Sequence, residues 1–217
     1  MHWFDHFDGY CERTDFTYWS EPINALTNLA FIIAAVIMWR RSAGLVSARV
    51  LCGILFAIGS GSYLFHTHAT GWALLADVAP IGLFILAYIF VINRDVLGWS
   101  WWAALLGTLA FLPYAYIAVP VLNRVPFLAI SNFYWTVPIL ILAYVPFLPK
   151  GTGLARGFAI GAGVLCLSIT LRSVDELWCA QLPLGTHFLW HCLNAVMLGW
   201  MIAVYRRHML AGRGAGL

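Results

Sequence analysis

Seven apolar runs divide the sequence, at about 22–39, 46–66, 73–92, 99–119, 125–147, 155–173 and 184–205. Each approaches the ~20 residues an α-helix needs to cross the hydrocarbon of a bilayer. Most charges fall in the short connections, and no long linker, low-complexity tract or second domain interrupts the pattern. Pro80, Pro113, Pro120 and Pro138 lie inside or near the runs, where membrane helices tolerate proline better than soluble ones do. The pattern predicts an all-α, polytopic membrane protein: one domain over 1–217, seven transmembrane helices, and an extramembrane N-terminal segment over 1–21.

Composition strengthens this reading. The chain is 62% hydrophobic and 10% charged, against about 25% charged in a soluble domain. Such an apolar excess needs lipid as its solvent. The net charge is only +3 and no basic stripe of the kind that tracks phosphates is present, so no nucleic-acid partner is expected. The first 20 residues carry Asp5, Asp8, Glu12 and Asp15 and lack the basic and apolar regions of a secretory signal. The first apolar run is therefore expected to direct insertion and to stay in the membrane.

Charge sets the expected orientation. With the N-terminus outside, nine Lys and Arg residues fall inside: Arg40, Arg41, Arg49, Arg94, Lys150, Arg156, Arg206, Arg207 and Arg213. Three fall outside: Arg13, Arg124 and Arg172. The positive-inside rule then puts the N-terminus out and the C-terminus in the cytoplasm. Eight of the nine acids also fall on or near the outer side, Asp95 being the exception. Acids contribute little to topology, so this second asymmetry asks for another cause, and cation binding at the outer face is one candidate.

The chemistry gathers at that same face. The second run ends in G-S-G-S-Y-L-F-H, so Ser62 and His66 lie at its outer end, at i and i+4 on one helix face. Asp77 lies in the first turns of the third run, and the seventh opens with H-F-L-W-H, which puts His187 and His191 on one face. Taken singly, each has a plain structural reading. An intramembrane histidine can be a hydrogen-bonded helix contact, Ser62 can bond a backbone carbonyl, and Asp77 can be an acid favoured by a helix N-terminus. Their coincidence at one depth points to a metal site instead. Three neutral imidazoles with an open fourth position are a common catalytic zinc set. A nearby carboxylate can move protons and a hydroxyl can donate to an oxyanion. His68 is an alternative ligand ranked below His66, and His2, His6 and His208 read as surface residues.

At these residues the sequence resembles the alkaline ceramidases, part of a larger group of seven-helix metal hydrolases that includes the adiponectin-receptor-like proteins. The matching pieces are D-G-Y-C-E-R-T (8–14), E-P-I-N-A-L-T-N-L (21–29), G-S-x-x-F-H (61–66) with Asp77 eleven residues later, and H-F-L-W-H (187–191). The resemblance implies zinc on His66, His187 and His191, Asp77 as the proton-transfer group and Ser62 as the oxyanion donor. The implied substrate is a ceramide-like membrane lipid, cleaved to a sphingoid base and a fatty acid. It also implies that the 1–21 segment binds calcium through Asp8, Glu12 and Glu21 with the Tyr10 carbonyl and Thr14. Two departures bear on that: the stretch between Glu12 and Glu21 looks shorter than in the animal enzymes, and Thr14 stands where they have an Asn. Cys11 and Cys179 both fall on the outer side, and the resemblance favours their pairing. Cys52, Cys166 and Cys192 are expected to be packing residues.

Three other readings compete. One is a hydrolase of another acyl lipid, since any carboxyl derivative could use the same groups. Another is an adiponectin-receptor-like sensor with structural zinc, which the outward N-terminus disfavours. A channel or transporter would want polar groups through the full depth of the bilayer, and no acidic or basic residue lies mid-membrane in the fourth to sixth runs. The compact loops suggest a bacterial protein, with the site facing the periplasm from the inner membrane. Oligomeric state is not legible.

Overall fold

The computed structural model of the chain describes residues 2–7 and 9–214. Among them the chain is helical, with no strand beyond one isolated bridge between His6 and Thr70. Helices are the natural answer to this sequence, because lipid cannot satisfy a backbone N–H or C=O and a helix does so within itself.

The main helices are α1 (Pro22–Arg41), α2 (Val46–His68), α3 (Gly71–Val96), α4 (Trp101–Leu122), α5 (Asn132–Phe147), α6 (Leu154–Val174) and α7 (His187–Gly214). Six are long and apolar enough to cross a membrane, so the chain reads as a multi-pass membrane protein. The fifth is the exception. The run expected over 125–147 forms a short turn of helix at Pro126–Ala129 and then α5, which carries Pro138 and tightens at Val145–Phe147. At ~1.5 Å per residue α5 is roughly 24 Å long, less than the ~30 Å hydrocarbon core. Pro126 cannot continue a helix from upstream and Ser131 is not helical, so an unbroken apolar pattern conceals a broken helix. Smaller breaks occur at Asn28 in α1 and Ala110 in α4, and α3 ends in a wider turn over Ile92–Val96.

Each helix packs on the next, and α7 returns to pack on α1 and α2, closing the bundle. The core along the axis includes Leu51, Leu55, Ile58, Ile169, Met201 and Ile202, all buried. Ile33, Leu106, Tyr116, Ile117 and Val196 point outward, a distribution suited to lipid and not to water. Two glycines set the geometry that matters for the site. A Cβ at Gly61 would lie 1.9 Å from the Ala76 carbonyl oxygen. Only glycine lets α2 and α3 touch there, beside Ser62 on one helix and Asp77 on the other. Gly185 has φ +67° just before α7, and a Cβ there would lie 2.1 Å from an Asp175 carboxylate oxygen.

Candidate metal centre at one end of the bundle

The last turn of α2 and the first turns of α7 bring His66, His187 and His191 together. Their ring centroids lie 4.7 to 5.2 Å apart. One ligand-capable atom from each lies within 4.8 Å of the other two, close enough for a shared metal ion. All three side chains are at most 2% exposed.

The partners of these rings say which nitrogens face inward. Nδ1 of His66 lies 2.5 Å from Oε2 of Glu21. Nδ1 of His191 lies 2.9 Å from the Thr27 hydroxyl, which can pass its own proton to the Ile23 carbonyl at 2.8 Å. A ring that donates from Nδ1 keeps a lone pair on Nε2. Nε2 of both rings, together with Nδ1 of His187, is buried without any hydrogen-bond partner. A buried polar atom left unpaired costs about 1–3 kcal/mol. Three such atoms side by side would cost about 3–9 kcal/mol, comparable with the whole stability of a typical domain. A cation accepting all three lone pairs removes that cost, so the residues fit a metal ion.

The rest of this bundle end holds the rings still. Tyr10 stacks on His187 with centroids 3.7 Å apart. The disulfide Cys11–Cys179 ties the N-terminal segment to the loop before α7. Asp175, 1% exposed, accepts from the backbone N–H of Cys11 (3.0 Å), Thr186 (2.5 Å) and His187 (2.8 Å). It caps the helix that carries two of the three histidines and fastens the N-terminal segment to it. Arg172 donates to the Ser131 hydroxyl at 2.8 Å and lies over Tyr134 and Trp190.

Ser62 and Asp77 line one apolar cavity with His191, and Ile58, Phe84, Tyr134 and Trp190 form much of its remaining wall. The three histidines, Ser62 and Asp77 thus lie at one bundle end. The alternative ligand His68 lies apart, with its ring edge-on to Tyr18 and beside Trp72. His2 and His6 are exposed, whereas His208 is half-buried at the opposite end, beside Arg156 and Arg207.

Of the residues implied for calcium, Asp8 lies outside the described residues and Thr14 is exposed. Glu12 accepts from the N–H groups of Ile23 (2.7 Å) and Asn24 (2.8 Å) at the start of α1. Burial pushes its carboxyl above the usual range, against the pull of those two donors. Glu21 is 1% exposed and faces Arg13 and His66. Burial raises its carboxyl too, but His66, Arg13 and Asn24 together outweigh that and hold it below the ordinary value. Among the described residues, the three histidines are the one group of three or more His, Cys, Asp or Glu side chains close enough to share a metal.

Arg13, Thr27, Asp175 and the His66 partnership of Glu21 were not foreseen. Each acts across a long separation in the chain, which helical spacing does not report. No family model matches the chain, and no curated protein is significantly similar to it.

Proposed function

We infer that the protein is a membrane-embedded zinc hydrolase that cleaves the amide of ceramide-like lipids, releasing a sphingoid base and a fatty acid. The observation that carries this reading is the set of three orphaned imidazole nitrogens beside a cavity lined by Asp77 and Ser62. Soft-to-borderline nitrogen donors with no carboxylate among them favour zinc over magnesium or calcium. His66, His187 and His191 would hold the ion. A zinc ion bound there supplies an acidified water and polarises the substrate carbonyl.

The chain's own groups do the rest. Asp77 takes the proton from the attacking water on a carboxylate oxygen and returns it to the departing amine. The Ser62 hydroxyl donates to the oxygen of the carbonyl as negative charge develops on it. The apolar wall from Ile58 to Trp190 receives the acyl chain and excludes water from the reaction. Glu21 and Thr27 fix the tautomers of His66 and His191, the service that carboxylates and hydroxyls commonly give to metal-bound histidines. The proposed setting is a seven-span bundle in which the short α5 crosses where the bilayer is locally thinned. The Arg-poor histidine end then faces the extracytoplasmic side, the periplasm in a bacterial inner membrane.

The test is incubation of the purified protein with ceramides, N-acyl amino acids, phospholipids and simple lipid esters, with products identified by mass spectrometry. Release of fatty acid and free sphingoid base from ceramide, lost on zinc removal and restored by zinc, is the expected result. Cleavage of another panel member alone would move the reading to a different acyl lipid, and no cleavage at full zinc occupancy would overturn it.

A further inference from the structure

Calcium, implied for the N-terminal segment by resemblance, is poorly served by Glu12, Glu21 and the Tyr10 carbonyl, the implied ligands among the described residues whose oxygens are partnered. A calcium site needs six to eight oxygens turned toward one point. Here both Glu12 oxygens accept from the start of α1. The Glu21 Oε2 accepts from His66 Nδ1 at 2.5 Å and from Asn24 Nδ2 at 2.9 Å. The Tyr10 carbonyl accepts the Arg13 amide at 3.1 Å. The remaining carboxylate oxygen of Glu12 and Glu21, Glu21 Oε1, meets the Arg13 guanidinium at 2.5 Å, an ion-pair contact rather than an aligned hydrogen bond.

We propose that Arg13 is the resident cation of this segment, standing where a metal would otherwise be needed, and that it positions His66 through Glu21. Arg13 is 6% exposed, and its NH2 also donates to the His66 carbonyl at 3.1 Å while NH1 donates to the Asp15 carbonyl at 3.2 Å. A carboxylate as buried as Glu21 is costly unless a cation stands against it. Guanidinium meets that need permanently, since it does not deprotonate and offers several donors in a fixed plane. One side chain thereby touches both the carboxylate that orients the His66 ring and the backbone of His66 itself. A second, divalent cation at Glu21 would face the repulsion of this fixed charge. Unlike a metal, Arg13 cannot be chelated away, so the segment is held at any calcium concentration.

The proposal rests on this geometry and not on which lipid is cleaved. Its first test is thermal unfolding of the full chain in detergent with and without millimolar calcium, zinc being supplied equally in both. The two curves are expected to coincide. A rise of several degrees with calcium, lost in Glu12→Gln, would overturn the proposal. The second test titrates zinc into Arg13→Gln and Arg13→Lys. Arg13→Gln is expected to weaken zinc binding roughly 10–100-fold, the usual effect of losing support behind a ligand. Arg13→Lys should recover part of that, and calcium should recover none. Unchanged zinc affinity in Arg13→Gln would refute the positioning role. Should Arg13→Gln fail to fold, the calcium comparison on the unaltered chain still decides. Should the unaltered chain bind no zinc, the proposed function fails while that comparison still stands.

Discussion

The two ends of the bundle handle charge in opposite ways. At the histidine end Arg13, Glu21 and Asp175 are buried to 6% exposure or less, and each has polar partners from distant parts of the chain. At the other end Arg40, Arg41, Arg94, Lys150, Arg156 and Arg207 are exposed. Its one acid, Asp95, accepts from the Tyr205 hydroxyl at 2.5 Å. Exposed cations set orientation and meet anionic headgroups, and tolerate replacement. Buried charges cost several kcal/mol when left alone, so their presence at the histidine end signals a structure built to hold something fixed.

The contrast predicts how unequal substitutions should be. The largest effect belongs to the site itself. His191→Ala should lose both the metal and the activity, and Asp77→Asn should keep the metal while lowering turnover by roughly 10²–10⁴-fold. Metal analysis beside a lipid-turnover assay separates the two. If Asp77→Asn turned over normally, its role as proton carrier would be lost.

Next come the supports. Asp175→Ala leaves three backbone N–H groups without their acceptor and should cost about 3 kcal/mol or more, read by unfolding in detergent. Opening Cys11–Cys179, which closes a loop across 168 positions, should cost about 2–4 kcal/mol. Equal melting with and without reductant would show that the disulfide adds nothing. Gly61→Ala should part α2 from α3 at the Ala76 carbonyl and cost about 1–3 kcal/mol, with a loss of turnover larger than the loss of stability suggests. The smallest change is at the far end: Arg207→Gln, on an exposed side chain, should stay within about 0.5 kcal/mol. A loss there as large as that of Asp175→Ala would break the distinction between the ends.

Much of this was legible because helices obey a simple period. His187 and His191 share a face by spacing, and alternating runs of opposite direction put His66 at the same depth. The break in the fifth run was not legible because hydropathy does not register Ser131, where apolar residues continue on both sides. The support around the histidines was hidden for a different reason. Arg13 looked like any outer charge, since nothing local says that a charged side chain will be buried. Its value depends on Glu21 and on His66, 53 positions away. Asp175 likewise becomes a cap only once the chain turns at Gly185.

The most direct measurement is the metal content of the purified chain and of its His66→Ala, His187→Ala and His191→Ala variants. The account predicts one tightly held zinc per chain, lost or greatly weakened in all three variants. An unaltered chain without zinc after purification in its presence, or a variant that retains it fully, would contradict the account.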